Sequence, residues 1–161
     1  MATFRRFCSL LIAAGVTGCN PPLKGGLYDF HLVEVVEDTC GGLALEEGIH
    51  DDASLWWGSG RDEMIVLTVS GCWYWDYADG VVTSSARYDS ETGTDCLIHT
   101  DVLSEGTLES NTAFSFTQTY DLDAEGDCSG PTTAMTTFPC RVELFWEVDR
   151  IGDTSVPWEE C

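Results

Sequence analysis

Alternation of apolar and polar residues, more than helical periodicity, organises this chain. Toward the C-terminus Cys140, Val142, Leu144, Trp146 and Val148 alternate with Arg141, Glu143, Phe145, Glu147 and Asp149, so a strand here turns an apolar face inward and a mostly acidic face outward. After Asn111, the residues Phe114, Phe116, Gln118 and Tyr120 share one face while Ala113, Ser115, Thr117 and Thr119 take the other. Residues 27–37 are extended and hold Val, Tyr and Phe, and residues 63–69 form an apolar, β-branched run. Residues 71–77 meet an Asp79-Gly80 turn and continue into 81–88 as a hairpin; residues 95–108 read as a further strand broken near Gly106. Downstream of residue 20 no window longer than about ten residues holds helical periodicity, although residues 42–49 can form a helical turn. Strands joined by turn-rich loops predict an all-β fold, an antiparallel meander closed as a barrel or folded as a sandwich.

The first twenty residues follow different rules. Arg5 and Arg6 supply a positive start, residues 7–15 are an apolar run too short to span a bilayer, and Val16-Thr17-Gly18 places small residues before Cys19. This segment resembles the lipobox signal peptide of bacterial lipoprotein precursors, with Val16 where Leu is commonest. The resemblance implies a signal peptide over residues 1–18, a diacylglyceryl group with fatty acyl chains such as palmitate on the Cys19 thiol, and cleavage after Gly18. Each buried methylene contributes about 0.8 kcal/mol, so two or more chains anchor a protein stably where one does not. The membrane is then a partner through the lipid anchor. Asn20 stands where inner-membrane lipoproteins of enteric bacteria carry Asp, which implies the outer membrane of the cell envelope. An ordinary secretory peptide or an amphipathic N-terminal helix leaves the arginine pair or the cysteine position unexplained. Residues 19–26 read as a lipidated cysteine and flexible tether, with Pro21 and Pro22 blocking helix, followed by a single disulfide-stabilised β-domain over residues 27–161. Gly26-Leu27-Tyr28 resembles the Gly-x-Trp start of the first lipocalin strand, with Tyr for Trp; it implies a calycin-like barrel by analogy, and the other lipocalin motifs are absent from the chain.

Removing residues 1–18 leaves five basic residues against 28 acidic ones, a formal charge of −23. Such a surface repels nucleic acid and anionic headgroups, which excludes nucleic-acid binding, and attracts cations or basic partners. It also serves simply as a solvated surface. Of eight cysteines, Cys8 leaves with the signal peptide and Cys19 carries lipid, so Cys40, Cys72, Cys96, Cys128, Cys140 and Cys161 are expected to form three disulfides. The segment between Cys128 and Cys140 contains Gly130 and Pro131 and lies between two strands, which makes Cys128–Cys140 the pairing expected first. No CxxC pair exists to support a thiolate metal site.

Candidate chemistry is sparse. Trp56, Trp57, Trp73 and Trp75 are candidates for ligand contact, as a stacking platform or cavity wall, or else belong to a core of large side chains. Trp73, Trp75 and Tyr77 share one strand face and Tyr74 takes the other, whereas Trp56 and Trp57 point opposite ways, so one indole leaves the core. Asp121, Asp123, Glu125, Gly126 and Asp127 resemble the opening of a calcium loop, with Glu125 in place of Asp or Asn and Thr132 where a bidentate Glu belongs; a solvated hairpin loop is the competing reading. His31, His50 and His99 lack zinc-ligand spacing, and His50 beside Asp51 and Asp52 reads as a polar loop before it reads as a ligand group. There is no GxSxG elbow, P-loop or HExxH, Gly58-Ser59-Gly60 reads as a turn, and no catalytic residue can be named. The expectation is a membrane-anchored, non-enzymatic binding or structural module of unknown ligand. The alternative is an envelope enzyme acting on glycan through scattered carboxylates and Trp residues.

Overall fold

Eight strands follow one another in chain order: β1 Gly26–Asp38, β2 His50–Trp57, β3 Glu63–Thr68, β4 Gly71–Ala78, β5 Val81–Thr92, β6 Cys96–Leu108, β7 Ala113–Gly126 and β8 Cys140–Gly152. The computed structural model describes residues 23–41, 47–58, 62–68, 71–92, 95–128 and 137–154. Each strand pairs antiparallel with its neighbours, and β1 also pairs with β8, so the meander closes into a barrel. The β1–β8 seam carries register shifts at Leu27/Tyr28, Leu32/Glu34 and Val35/Glu37, irregularities of the kind that add local twist and let a sheet close. Asp79 and Gly80 both take positive φ, 51° and 90°, the two-residue turn that an Asp-Gly pair favours between β4 and β5.

The alternation read from the sequence sorts side chains as expected. Phe114 and Phe116 of β7, and Val142, Leu144 and Val148 of β8, are buried inside, while Arg141, Glu147 and Asp149 face out. This apolar interior and charged exterior is the reverse of a membrane-spanning barrel. One end of the barrel is sealed by Tyr28, Leu55, Met64, Val82, Leu108 and Phe114, with Leu23 laid across them. The expected flexible tether is therefore shorter at its C-terminal side, because residues from Leu23 onward are bonded to the barrel. Lys24 N–H donates to the Asn111 carbonyl at 2.8 Å, the Trp57 indole N–H to the Leu23 carbonyl at 2.5 Å, and the Tyr28 hydroxyl to the Lys24 carbonyl at 2.6 Å. Gly26 is required at the start of β1. Its φ is +155°, and an added Cβ would lie 2.7 Å from Arg150 Nε.

Several expectations are corrected. The break near Gly106 is absent: β6 runs through it, and the glycine is needed because a Cβ there would lie 2.5 Å from Phe116 Cβ across the ladder. Residues 50–52 are not a loop but the start of β2, pairing with β1 from His31↔His50, which a strand at an open rim permits because its acids stay in water. Cys128 and Cys140 do not pair with each other. Cys96 lies opposite Gly126, so Cys128 two residues on folds back to it, and Asp38 lies opposite Val142, so Cys40 reaches Cys140. The two bridges, Cys40–Cys140 and Cys96–Cys128, brace the barrel; Cys72 is also disulfide-bonded. The signal peptide, Cys19, Cys161, and most of the candidate helical turn at 42–49 lie outside the described residues.

Candidate functional site

Strand length decides where the barrel opens. Strands β1 and β5 to β8 have 12 to 14 residues, whereas β2, β3 and β4 have only 8, 6 and 8, so the wall on that side is lower by roughly 15 Å at about 3.3 Å per residue. On the tall side, Leu32, Val142 and Leu144 pack into a second apolar cluster with the Cys40–Cys140 bridge. Opposite it, over the short strands, a cavity of about 540 Å³ enters the barrel, within the size range of small-molecule sites.

Six of the thirteen described residues of its wall are Phe, Trp or Tyr. Deepest lie Phe30, Trp75 and Phe116, with Trp75 edge-on to Phe116 at 4.9 Å between ring centroids and Phe30 edge-on at 6.1 Å. Trp146 stacks on Phe116, 6.1 Å away and 5° from parallel, and Trp73 and Tyr120 stand nearer the mouth. Such ring pairs contribute about 0.5–1.5 kcal/mol each beyond burial, so the wall holds its shape as a preformed surface. The Trp146 indole N–H is buried without an acceptor, the only described side-chain atom in that state. Burial pushes the Tyr120 hydroxyl pKa upward, with the neighbouring Tyr88 adding to the shift, so Tyr120 presents a neutral O–H at neutral pH.

At the mouth stand Thr68, Gln118, His50, Asp51 and Asp52, and none of the described lining residues is Lys or Arg. Asp51 lies opposite Phe30 and shares the inward parity of Ala53 and Leu55; His50 and Asp52 have the outward parity. His50 Nδ1 sits 2.8 Å from Asp29 Oδ2, and its ring stacks on His31 at 4.4 Å. His50, Asp51 and Asp52 therefore do not converge as a ligand set, and no group of three or more His, Cys, Asp or Glu among the described residues is placed to hold a metal ion. Two grooves of about 340 Å³ lie on the outside of the wall, one beside Arg87 and Asp121 and one beside Val81 and Phe145, without aromatic enclosure.

The four candidate tryptophans divide. Trp73 and Trp75 line the cavity. Trp57 points inward at the sealed end, packed edge-on against Tyr77 at 5.2 Å, and Trp56 is on the outer face, half-buried. Asp121, Asp123 and Glu125 form strand β7, not a loop, so their side chains are spread along one outer face at about 7 Å intervals. Asp121 faces Arg141 Nη1 at 3.3 Å, Asp123 accepts from the Ala124 N–H, and Glu125 lies 3.8 Å from His99; Asp127 follows the strand's end. Sequence reasoning missed Trp146, Tyr120, Phe30 and Asp51 as wall residues. Their inward parity was legible, but only closure brings four distant strands around one space. No protein family, curated protein or solved structure matches the chain significantly.

Proposed function

We propose that this protein is a lipid-anchored, non-enzymatic binding module of the bacterial cell envelope that takes a small, largely apolar ligand into its barrel. The observation that carries this reading is the aromatic-walled cavity of about 540 Å³, open at one end of a barrel whose other end is sealed. The envelope location rests on the lipobox resemblance. Leu23, which is buried, is four positions from Cys19, a reach of at most about 14 Å, so an acylated Cys19 holds the sealed end close to the bilayer and directs the mouth away from it. The glycan-enzyme alternative loses geometric support because Asp51 and Asp52, the two carboxylates among the described lining residues, are consecutive on one strand and do not face each other across the cavity.

Two measurements test the two halves of the reading. Metabolic labelling with a clickable fatty acid is expected to mark the wild-type protein and not Cys19→Ala; label retained by the variant refutes the anchor. Titration with decanol, an uncharged apolar probe, is expected to change the fluorescence of Trp73, Trp75 and Trp146, and a saturating change lost in Trp75→Ala supports the site. No change refutes the binding reading.

A further inference from the structure

We infer that the cavity selects an organic cation: an amphiphile whose apolar body lies among the rings and whose positive head rests at the mouth against Asp51. This rests on the cavity being a ligand site, and three features give the ligand its charge.

The mouth is acidic without compensation. Asp51 lines it with inward parity, Asp52 stands beside it on the rim with outward parity, and none of the described lining residues is Lys or Arg. The guanidinium groups of Arg141 and Arg87 belong to the outer wall and are engaged there. Arg141 contacts Glu37, Asp121 and Glu143, and Arg87 lies 3.9 Å from both Asp89 and Asp101. His50 at the mouth has its Nδ1 2.8 Å from Asp29 and faces outward. An anionic head would meet the Asp51 carboxylate with no Lys or Arg among the described lining residues to answer it. A cationic head meets Asp51 directly, in the field of a chain whose formal net charge is −21.

The walls favour the same sign. Trp73, Trp75, Phe116 and Trp146 present indole and phenyl rings whose faces carry negative potential, and Trp is the strongest of these partners for a cation. Trp73 stands toward the mouth, near the N-terminal end of β4, where a head group held by Asp51 also comes within reach of its ring. Water is partly excluded between the rings, which strengthens both effects over their values at an open surface.

Shape supplies the third feature. Below the mouth the lining becomes apolar, through Ala53 and Val66 to Phe30, Trp75 and Phe116, and the sealed end carries Phe114 and Met64. A bare inorganic cation gains nothing from that depth, whereas an alkyl or aryl body does. The head is held loosely by an exposed carboxylate and the body by area buried, so discrimination by charge is expected to be modest and salt-dependent.

The test uses three probes of one chain length: decyltrimethylammonium, decanol and decanoate, each titrated below its micellar concentration into the full chain carrying Cys19→Ala, with tryptophan fluorescence as the readout. The cation is expected to bind about tenfold more tightly than the anion at low salt, a ratio that corresponds to roughly 1.4 kcal/mol. Raising salt is expected to shrink that ratio. Asp51→Asn with Asp52→Asn is expected to bring cation and anion within about twofold of each other, its folded state checked by near-ultraviolet circular dichroism. Anion binding equal to or tighter than the cation overturns the charge selectivity while leaving the apolar site standing. A preference that survives both the Asn pair and high salt also overturns it. Failure of all three probes overturns the ligand site itself.

Discussion

Removing Cys40–Cys140 is expected to cost more stability than removing Cys96–Cys128, and the sequence separations say by how much. The first bridge joins residues 100 apart and the second residues 32 apart. In the chain-entropy account, cross-linking a loop of about 100 residues contributes ~4.7 kcal/mol at 25 °C, and one of about 32 residues ~3.7 kcal/mol. The shorter loop lies inside the longer, so while Cys96–Cys128 is intact the path between Cys40 and Cys140 is about 70 residues. That lowers the first figure only by ~0.3 kcal/mol, because the dependence is logarithmic. Structure supports the order, since Cys40–Cys140 staples the β1–β8 seam where first and last strands must meet, while Cys96–Cys128 ties two strands already joined as a hairpin. The assay is thermal unfolding of the paired Ala variants, Cys40→Ala with Cys140→Ala against Cys96→Ala with Cys128→Ala. At roughly 4 °C per kcal/mol for a domain of this size, both are expected to melt on the order of 15 °C lower, the seam variant by a further ~3 °C. If both variants fold and the hairpin variant melts lower, loop entropy is not what these bridges contribute.

Gly106→Ala is expected to destabilise by about 1–3 kcal/mol, since its Cβ would press on Phe116 and on the Ser115 carbonyl; Gly152→Ala, whose Cβ would meet nothing within 4 Å, is the control, and equal urea midpoints for the two would refute the packing argument. Burial pushes the Tyr28 hydroxyl up to about 12, opposed in part by Arg150. A folded-state pKa above the unfolded value of about 10 means the folded chain holds its proton longer. The stabilisation is thus complete below pH 10 and is lost as pH rises toward 12. Melting temperatures are expected to fall across that interval less steeply in Tyr28→Phe than in the wild type, and identical slopes would contradict the assignment.

The sequence by itself determined the strand class, the in-out sorting and the tightest turn. Those are local consequences of chemistry: alternation at Phe114 to Tyr120 and Cys140 to Val148 puts one face in water, and Asp79-Gly80 adopts positive φ at little cost. Local reading erred where ladder pairing overrode composition. Asp121 to Gly126 and His50 to Asp52 look like loops by charge, yet each is held as strand by backbone bonds to a neighbour, and their carboxylates stay solvated on a rim or outer face. Cysteine pairing was likewise beyond composition, because register alone sets Cys40 against Cys140 and Cys96 against Cys128. The cavity was the least legible feature. Trp73 and Trp75 could be named as candidates from one strand, but their partners Phe30, Phe116, Tyr120 and Trp146 come from β1, β7 and β8. Only closure of the sheet, with three short strands leaving one side of the wall low, turns inward parity at those distant positions into a single space.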